Sequence, residues 1–328
     1  MSLAPFIHAM GRGPGRARSL TGDEAQQAMD LILRGAADPH AVGALLMLMR
    51  YRGEVPAEIA GFATAMRTDL PPLPRVDLDW PSYAAGRTRG LPWFLLSARL
   101  VAATGARVLL HGWNSHQSDG ADVRASLPLA GIAQAQSPGD LATCLDRDGI
   151  AYLPLETLSP RALTLLRLRE VLGLRSCINT VLRVLNPAHA PAAVQGVFHP
   201  PYRGLQQEAG VLLGQPSLAI LKGGGGEFER NPAKDVALFR LVNGQPEELT
   251  LPALLPEPRR LSDAPTPPQA LADLWEGTLR DLFAEAIVTG TAAAALIALG
   301  HAPGPAHALA QSLWANRPLY ARITEAEG

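Results

Sequence analysis

The chain has 328 residues, of which 47% are hydrophobic and 18% are charged, and its 29 Lys and Arg nearly balance its 30 Asp and Glu to leave a net charge of −1. This composition is typical of a folded globular protein of about two domains and argues against a disordered chain. It also provides no overall charge that would attract nucleic acid or an acidic membrane.

The first 70 residues are predicted to be helical. They open with a glycine-rich loop that carries Arg12, Arg16 and Arg18 and no acid. Three helical patterns follow, over 23–34, 38–51 and 56–66. The second pattern is apolar all round, so we expect it to pack against the main domain or a second subunit. A proline-rich linker at 71–74 then predicts that a helical domain ends at residue 72.

Beyond the linker, strand patterns alternate with helical patterns, which predicts a mainly parallel sheet covered by helices. Strands are predicted over 106–110 and 150–155. Helices are predicted over 93–104, 121–130, 139–146, 160–172 and 176–185. We assign 73–159 and 187–328 to this α/β domain.

The stretch 194–234 contains the clearest strand, helix, strand pattern, with strands predicted over 194–198 and 218–221 and a helix over 202–213. The second strand leads into Lys222 and four consecutive glycines. Ligands of open α/β sheets bind at the carboxyl ends of strands, and glycines there let backbone N–H groups approach an anion. This glycine loop is therefore predicted to border the site, although it lacks the Gly-Lys-Ser/Thr of a P-loop.

The rest of the chain is predicted to form a hairpin and three helices. The hairpin strands are expected over 236–242 and 248–251, with a turn at Asn243-Gly244. A proline-rich loop follows, and the helices are expected over 269–288, 291–299 and 307–314.

Positive charge is segregated along the chain. Residues 80–118 hold four arginines and no acid, and residues 157–186 hold five arginines and one acid, Glu170. The planar guanidinium donates two parallel hydrogen bonds, so these segments are candidates for a phosphate-binding groove. The alternative is that individual arginines lie on solvated helix faces.

Two histidines and two carboxylates are the other candidate groups. His111 and His199 each follow a predicted strand, where histidine serves as a general acid or base, as a phosphate donor, or as a structural residue. Glu227 and Glu229 lie two residues apart after the glycines and would hold a metal only in an irregular loop.

The two cysteines match neither a zinc spacing nor a disulfide framework, which favours a reducing, cytoplasmic compartment. The longest apolar runs, 41–49 and 291–299, are much shorter than the roughly 20 residues of a membrane span. No signal peptide is expected, because no basic segment precedes an apolar one at the N-terminus. We therefore expect no membrane partner.

Several motifs in sequence order resemble glycosyltransferase family 3, whose best-known member is anthranilate phosphoribosyltransferase. They are His111-Gly112, Ala121-Asp122, Arg169 with Leu172-Gly173-Leu174-Arg175 and Asn179, Asn186-Pro187-Ala188, Gly196-Val197 and the glycine loop. The resemblance implies an α/β fold with a small all-helical domain, completed by helices within about 160–186, and a larger α/β domain with a mainly parallel sheet. It also implies a homodimer formed through the helical domain.

The chain differs from that family where the chemistry would need it. The family's diphosphate loop, Gly-Thr-Gly-Gly-Asp, matches residues 83–90, where Arg87 and Arg89 replace glycine and aspartate. The phosphate-binding lysine is absent, and the metal-binding Asp-Glu pair falls on Phe228-Glu229. Arg169 matches the arginine that meets the carboxylate of anthranilate.

A nearer likeness is to the YbiB-type DNA-binding branch of the same fold, carried by Gly11-Arg12-Gly13, His199-Pro200, and Gly226-Glu227 with Asn231-Pro232. That branch implies a homodimer that binds DNA or other nucleic acid without sequence preference, needs no cofactor and has no catalytic residue. The segregated arginines agree with backbone contacts.

The first hypothesis is therefore a nucleic-acid-binding protein. Its candidate nucleic-acid or phosphate contacts are Arg12, Arg16, Arg18, Arg87, Arg89, His111, Arg169, Arg175, His199, Arg203, Lys222 and the backbone amides of Gly223, Gly224, Gly225 and Gly226. The alternative is a glycosyl or phosphoribosyl transferase, in which Arg169 holds an aromatic or acidic acceptor such as anthranilate and Glu229 holds Mg²⁺. A structural partner protein is a third hypothesis.

Overall fold

The computed structural model describes residues 2–13, 15–83, 90–113, 122–264 and 267–318. Its first part is a bundle of four helices, α1 (Ala4–Gly11), α2 (Gly22–Leu33), α3 (Pro39–Arg52) and α4 (Pro56–Thr68). Thr21 and Glu24 form a capping box at the start of α2, in which each side chain accepts a hydrogen bond from the other residue's backbone N–H. The helical N-terminal domain is thus confirmed.

The second part is built on one eight-stranded sheet, in the order β3-β4-β2-β1-β5-β6-β7-β8. The strands are β1 (Leu78–Ser82), β2 (Val108–Gly112), β3 (Ala133–Gln134), β4 (Ile150–Pro154), β5 (Ala192–Val197), β6 (Ser217–Lys222), β7 (Val236–Val242) and β8 (Gln245–Leu251). The first six of these run parallel, and β7 and β8 add an antiparallel hairpin at one edge. The predicted mainly parallel sheet is confirmed.

Helices cover both faces of the sheet. They are α5 (Phe94–Ala102), α6 (Val123–Ser126), α7 (Pro138–Asp148), α8 (Leu155–Leu158), α9 (Pro160–Leu172), α10 (Ile178–Val184), α11 (Tyr202–Leu212), α12 (Ala270–Glu276), α13 (Leu282–Ala298) and α14 (Pro303–Ala315). The side chains of adjacent β2 residues point to opposite faces of the sheet. Leu110 therefore packs in a core with α5, α13 and α14, whereas Leu109 packs in a core shared with the helical bundle.

The helices α9 and α10 lie against the N-terminal bundle although they come from the middle of the chain. Arg67, near the end of α4, donates hydrogen bonds to the carbonyl oxygens of Leu185 at 2.6 Å and Val184 at 3.3 Å, at the end of α10. Arg161 at the start of α9 forms an ion pair with Asp69 at 2.6 Å. The exact domain boundaries remain a prediction, and these contacts support the assignment of 160–186 to the bundle.

The central strand β1 is absent from the sequence-based expectations. Its sequence contains Asp79 and Pro81, which are both uncommon inside strands. Pro81 is tolerated because the backbone N–H groups of the odd-numbered residues of β1 point towards β5. The backbone pairing between β1 and β5 ends at Asp79, before Pro81. The missing N–H of Pro81 therefore removes no ladder hydrogen bond.

The predicted helix boundary near residue 290 is wrong. One continuous helix, α13, runs through Gly290, and the break lies earlier, after Gly277, whose φ of 81° ends α12. Gly290 stays helical because α13 is packed in the core, which overrides the weak helix propensity of glycine.

Within the described residues, no helix is both long enough and apolar enough to cross a membrane.

Candidate functional site

The glycine loop follows the carboxyl end of β6, as the sequence predicts. Gly224–Gly226 form a short 3₁₀ turn, and Lys222 before it is exposed. The N–H of Gly223 donates to the carbonyl of Val197 and the N–H of Gly226 to that of Gly223, each at 3.2 Å. Two of the four amides expected to bind an anion are therefore used inside the fold.

The loop packs tightly against the end of β5. A Cβ atom placed on Gly196 would lie 2.1 Å from the carbonyl carbon of Glu227, well inside van der Waals contact. Since the neighbouring atoms are backbone, they have little freedom to withdraw. The glycine at residue 196 thus lets the end of β5, the end of β6 and the glycine loop pack into one rigid surface. We call this surface the floor.

The two glutamates after the glycines are fully buried in this floor. Glu229 accepts a hydrogen bond from the backbone N–H of Phe94 at 3.0 Å, so its carboxylate lies at the N-terminus of α5. Glu227 accepts one from the Ser82 hydroxyl at 2.9 Å, at the end of β1. Each carboxylate therefore links the loop to a different part of the sheet.

The residues of this floor meet part of what a metal ion needs. Among the described residues, no cluster of three His, Cys, Asp or Glu forms a complete metal cage. A Mg²⁺ ion bound to substrate phosphates needs only one or two protein carboxylates, with water in its other positions. Glu227 and Ser82 are hard oxygen donors joined by a hydrogen bond, so their chemistry fits such an ion better than that of Glu229, which caps α5.

His111 is not accessible to a phosphate group, contrary to its assignment as a candidate contact. It is 0% exposed, with Nδ1 2.8 Å from the Tyr83 hydroxyl and Nε2 3.1 Å from Asp79 Oδ1. Burial, followed by the charges of Tyr152 and Asp79, raises the pKa of Tyr83 well above its usual range. Tyr83 therefore keeps its proton and donates to Nδ1, which we infer leaves the imidazole proton on Nε2, facing Asp79. We call Asp79, Tyr83 and His111 the strand-end network.

A second site lies beside the floor, between the helical bundle and the end of β5. The residues that line it are Arg50, Glu54, Arg175, Ser176, Asn179, Thr180, Arg183, Val197, Phe198, His199 and Tyr202. We call it the arginine pocket. It unites α3 of the bundle, the segment from 175 to 183, the end of β5 and the start of α11. Two of the predicted contacts, Arg175 and His199, meet here.

The arginine pocket carries an excess of positive charge. Burial, followed by the charges of Arg169 and Arg50, lowers the pKa of Arg175, so the field of both arginines reaches Arg175. Arg169 Nη1 is buried and has no hydrogen-bond partner among the described residues. Buried guanidinium nitrogens are normally hydrogen-bonded, so this atom marks Arg169 as a candidate donor to an anionic ligand.

Arg183 is held differently from the other pocket arginines. It donates a hydrogen bond to the carbonyl oxygen of Tyr83 at 3.1 Å, and its guanidinium lies beside Gly226. Burial lowers its pKa, and the nearby charge of Glu227 partly opposes that effect. Arg183 therefore joins the floor to the arginine pocket.

Glu54 is the one carboxylate among the described residues that line the pocket. It accepts a hydrogen bond from the Tyr202 hydroxyl at 3.0 Å. Burial, followed by the charge and the hydrogen bond of Glu54, raises the pKa of Tyr202 to about 12. Tyr202 is thus a neutral donor at neutral pH and fixes the position of Glu54.

The remaining predicted contacts lie elsewhere. Arg12 donates to the ring of His8, Arg16 is exposed, and Arg18 forms a 2.6 Å ion pair with Glu24. Arg203 is held over the Phe239 ring on β7. Arg87 and Arg89 lie outside the described residues. The single groove expected to unite these arginines is therefore not formed by those that the structure describes.

Sequence reasoning missed Arg50, Glu54 and Asn179 as pocket residues. Arg50 and Glu54 belong to the bundle, more than 100 residues away from Arg175, and nothing in their local sequence distinguishes them from solvated residues at a helix end. Arg183 had one signal, because it belongs to the arginine-rich segment 157–186. In the same segment Arg161 and Arg167 are exposed and paired with Asp69 and Glu170.

Comparison with known sequences identifies relatives of this chain. A model of the helical bundle domain of a glycosyl transferase family matches residues 4–69. Anthranilate phosphoribosyltransferase of Chlamydia caviae is 30% identical over 236 residues, which cover 71% of this chain and 68% of that protein. The enzyme of Methylibium petroleiphilum is 30% identical over 242 residues, 71% of this chain and 69% of that protein. The matched segment thus spans about two thirds of these relatives.

Solved structures show the same fold over nearly the whole chain. Anthranilate phosphoribosyltransferase from Thermus thermophilus has a TM-score of 0.79 at 24% identity, covering 95% of this chain and 94% of that one. The enzyme from Saccharomyces cerevisiae in complex with PRPP and Mg has a TM-score of 0.74 at 16% identity, covering 96% and 95%. These similarities establish a shared fold.

Two expectations from the sequence are overturned by these findings. The prediction of a nucleic-acid-binding protein is wrong, because the relatives and the structural neighbours are anthranilate phosphoribosyltransferases. The expectation of no cofactor is also wrong, since neighbours with this fold hold Mg. The transferase alternative is the hypothesis that these findings favour.

Proposed function

The chain belongs to glycosyltransferase family 3, the family of the anthranilate phosphoribosyltransferases, and from this premise we propose that it is a phosphoribosyltransferase. It transfers a phosphoribosyl group from phosphoribosyl diphosphate to an aromatic or acidic acceptor such as anthranilate. The observation that carries this proposal is the arginine pocket at the carboxyl end of β5, the edge of an open α/β sheet at which ligands bind.

The acceptor binds in the arginine pocket through its acidic group. Arg169 has a buried Nη1 without a hydrogen-bond partner among the described residues, and its charge lowers the pKa of Arg175, which lines the pocket. A carboxylate supplies the missing acceptor oxygens and offsets the repulsion between the two guanidinium groups. Binding energy gained there fixes the orientation of the acceptor relative to the donor.

The donor diphosphate lies over the ends of β1 and β6. Lys222 is exposed at the end of β6, and Gly224 and Gly225 form the turn beside it. Arg87 and Arg89 follow β1 in the sequence, at positions that match the diphosphate loop of the family, and they lie outside the described residues. Guanidinium groups are suited to phosphate oxygens because of their planar fork.

Magnesium accompanies the donor, as in the yeast neighbour that holds PRPP and Mg. In this chain Glu227 and Ser82 would hold the ion, together with oxygens of the diphosphate. When bound, the ion stabilises the negative charge that develops on the diphosphate as it leaves.

The reaction balances with groups of this chain. A nitrogen of the acceptor forms a bond to C1 of the ribose, and the bond from C1 to the diphosphate oxygen breaks, so that diphosphate leaves with the electron pair. The proton lost from the nitrogen passes to a ring nitrogen of His199, an exposed imidazole on the pocket wall. The arginine pocket thus holds both the acidic group and the base.

We also propose a homodimer formed through the helical domain. Tyr51 at the end of α3 is 91% exposed, and Val171 at the end of α9 is 81% exposed. Exposed apolar side chains on neighbouring helices are typical of a subunit interface. Analytical ultracentrifugation should find a dimer that Tyr51→Glu weakens, and a monomeric wild type would contradict this proposal.

Diphosphate release tests the transferase. With phosphoribosyl diphosphate, Mg²⁺ and anthranilate, Arg169→Ala should raise the KM for the acceptor by about 10-fold or more, because a charge-assisted hydrogen bond is lost, and leave the KM for the donor unchanged. Arg167→Ala is the matched control, because Arg167 lies on the same helix and pairs with Glu170. If the wild type releases no diphosphate with any of a panel of aromatic acids, the proposed function is wrong.

A further inference from the structure

We propose that Glu54 accepts a hydrogen bond from a neutral N–H group of the acceptor and thereby selects primary aromatic amines. This inference rests on the proposed function and assigns the residue that recognises the attacking nitrogen. It follows from the position of Glu54, from the hydrogen bonding of its two oxygens, and from the charge and size of the arginine pocket.

Glu54 is held in a fixed place on the wall of the arginine pocket. Gly53, with a φ of 82°, ends α3, and Val55 is the N-cap of α4, so Glu54 lies in a tight connection between two helices. Its side chain lines the pocket although the residue is only 9% exposed. Because a carboxylate is costly to bury without hydrogen-bond donors, each of its oxygens calls for one.

The fold supplies a donor to one of these two oxygens. Glu54 Oε2 accepts the 3.0 Å hydrogen bond from the Tyr202 hydroxyl. Within the described part of the chain, Oε1 has neither a hydrogen bond nor an ion pair, yet it is not sealed from solvent. In a residue this buried, we infer that the opening to Oε1 is the pocket itself. Oε1 is therefore an acceptor that a ligand in the pocket can reach.

The charges near Glu54 favour a neutral donor over a cation. Arg50 and Arg183 line the same pocket, so an alkylammonium group that approached Glu54 would meet the repulsion of both guanidinium groups. An aromatic amine is neutral at pH 7, because the ring withdraws the lone pair of the nitrogen. Its N–H still donates a charge-assisted hydrogen bond to a carboxylate.

The size of the pocket favours a small nitrogen group. The cavity has a volume of about 80 Å³. An engineered protein cavity that binds benzene has about 150 Å³, so this one admits the edge of a ring with its substituents but no bulky N-alkyl group. The rest of the ring packs on Phe198, which is 48% exposed and also lines the pocket.

A primary amine also provides the two N–H groups that the reaction uses. One donates to Oε1 of Glu54 and stays on the nitrogen in the product. The other N–H bond breaks as the bond to C1 of the ribose forms, and its proton passes to His199, whose ring lies 6.5 Å from that of Tyr202. Glu54 thus fixes the orientation of the attacking nitrogen.

Calorimetric titration of the full chain without donor or metal tests the contact. Anthranilate is compared with 2-methylbenzoate, in which a methyl group of nearly the same size replaces the amino group. Anthranilate should bind at least about 10-fold more tightly, because it alone donates a charge-assisted hydrogen bond. Since both ligands carry one ring and one carboxylate, the ratio of their affinities isolates the amino group.

Glu54→Gln is the informative variant. Glutamine keeps the shape of the side chain, and its oxygen still accepts from Tyr202, which places its NH₂ group at the open position. Two donors then face each other, so the preference for anthranilate should fall to about 2-fold or less. 2-Methylbenzoate should bind no more weakly than to the wild type, because the variant lacks a negative charge near the carboxylate of the ligand.

Glu208→Gln is the matched control. It removes the same charge from an exposed residue of α11 that does not line the pocket, and it should keep the preference.

The outcomes are distinct. Equal binding of the two ligands to the wild type, no binding of either, or an unchanged preference in Glu54→Gln overturns the contact. Weaker binding of both ligands to Glu54→Gln also overturns it, because Glu54 then only supports the pocket. Diphosphate release from phosphoribosyl diphosphate with Mg²⁺ and anthranilate is measured alongside.

This second measurement separates the inference from the proposed function. Release by the wild type together with an unchanged preference in Glu54→Gln overturns the contact and keeps the transferase. No release despite a preference that depends on Glu54 overturns the transferase and leaves the contact.

Discussion

Two histidines lie at the carboxyl ends of strands in the same sheet and have opposite surroundings. His111 lies inside β2 and is fully buried, with Nδ1 beside the Tyr83 hydroxyl and Nε2 beside the Asp79 carboxyl, whereas His199 is exposed on the wall of the arginine pocket. In the sequence, the two positions are equally strong candidates for a functional histidine. The two histidines differ in burial, because tertiary packing covers His111 at the end of β2 and leaves His199 exposed after the end of β5.

The contrast extends from the histidines to the charges around them. In the strand-end network, the buried carboxyl of Asp79 faces an imidazole, so removal of either partner leaves the other buried and uncompensated. In the arginine pocket, like charges approach one another, and burial and repulsion together lower the pKa of Arg175. Repulsion of this kind lowers stability and is relieved by a ligand, which is typical of a binding site.

The largest effect is expected from the strand-end network. His111→Ala should lower the free energy of unfolding by about 3 to 5 kcal/mol, because it leaves Asp79 and Tyr83 buried without their partner. His199→Ala should change it by less than about 0.5 kcal/mol, as expected for an exposed side chain. Urea unfolding of both variants measures the difference. Similar losses of unfolding free energy in the two variants would contradict the contrast between the two histidines.

The floor between the two regions provides the second test. Gly196→Ala should cost about 1 to 3 kcal/mol, because the new methyl group meets the backbone of Glu227. Gly204→Ala is the control, since no atom lies within 4 Å of its Cβ position on α11. It should stabilise the protein by about 0.5 to 1 kcal/mol. If the stability of the Gly196→Ala variant equals that of the wild type, the floor is not rigid.

The ion pair between Arg18 and Glu24, outside the arginine pocket, provides the third test. Glu24 accepts hydrogen bonds from Arg18 and Thr21, which lower its pKa from the usual 4.5 to about 2. The stabilisation is complete above pH 4.5 and is lost as the pH falls towards 2. Glu24→Gln should therefore cost about 1 kcal/mol at pH 7, since the pair is partly exposed to water. Denaturation at several pH values should show the difference vanish near pH 2.

The smallest effect should have the opposite sign. Arg50→Gln relieves repulsion on Arg175 and should be about 0.3 to 0.5 kcal/mol more stable than Arg52→Gln, which shares the helix end but not the pocket. The difference should disappear in about 1 M salt, which screens exposed charges. Thermal unfolding at two salt concentrations measures it. A lower stability of Arg50→Gln would mean that its charge is compensated within the fold.

Local sequence patterns predicted the architecture well. The helices α9 and α11, the strand β4 and the hairpin of β7 and β8 were all expected close to their observed positions. Each has a clear pattern of apolar residues or a turn signal that acts within a few residues. β1 was missed because it is buried on both sides and includes Asp79 and Pro81, whose acceptability depends on their neighbours in the sheet.

The family motifs, the alternation that builds the sheet, and the glycine loop at the end of β6 could all be predicted, because each depends on residues that are neighbours in the chain. Which arginines form a site depends instead on the tertiary structure. Arg18, Arg161 and Arg167 each form an ion pair with a carboxylate, whereas the pKa of Arg175 is lowered by the charges of Arg169 and of Arg50, which belongs to a distant helix. The sign of an electrostatic effect depends on the charges within a few ångströms, and folding brings those together from segments that share no local pattern.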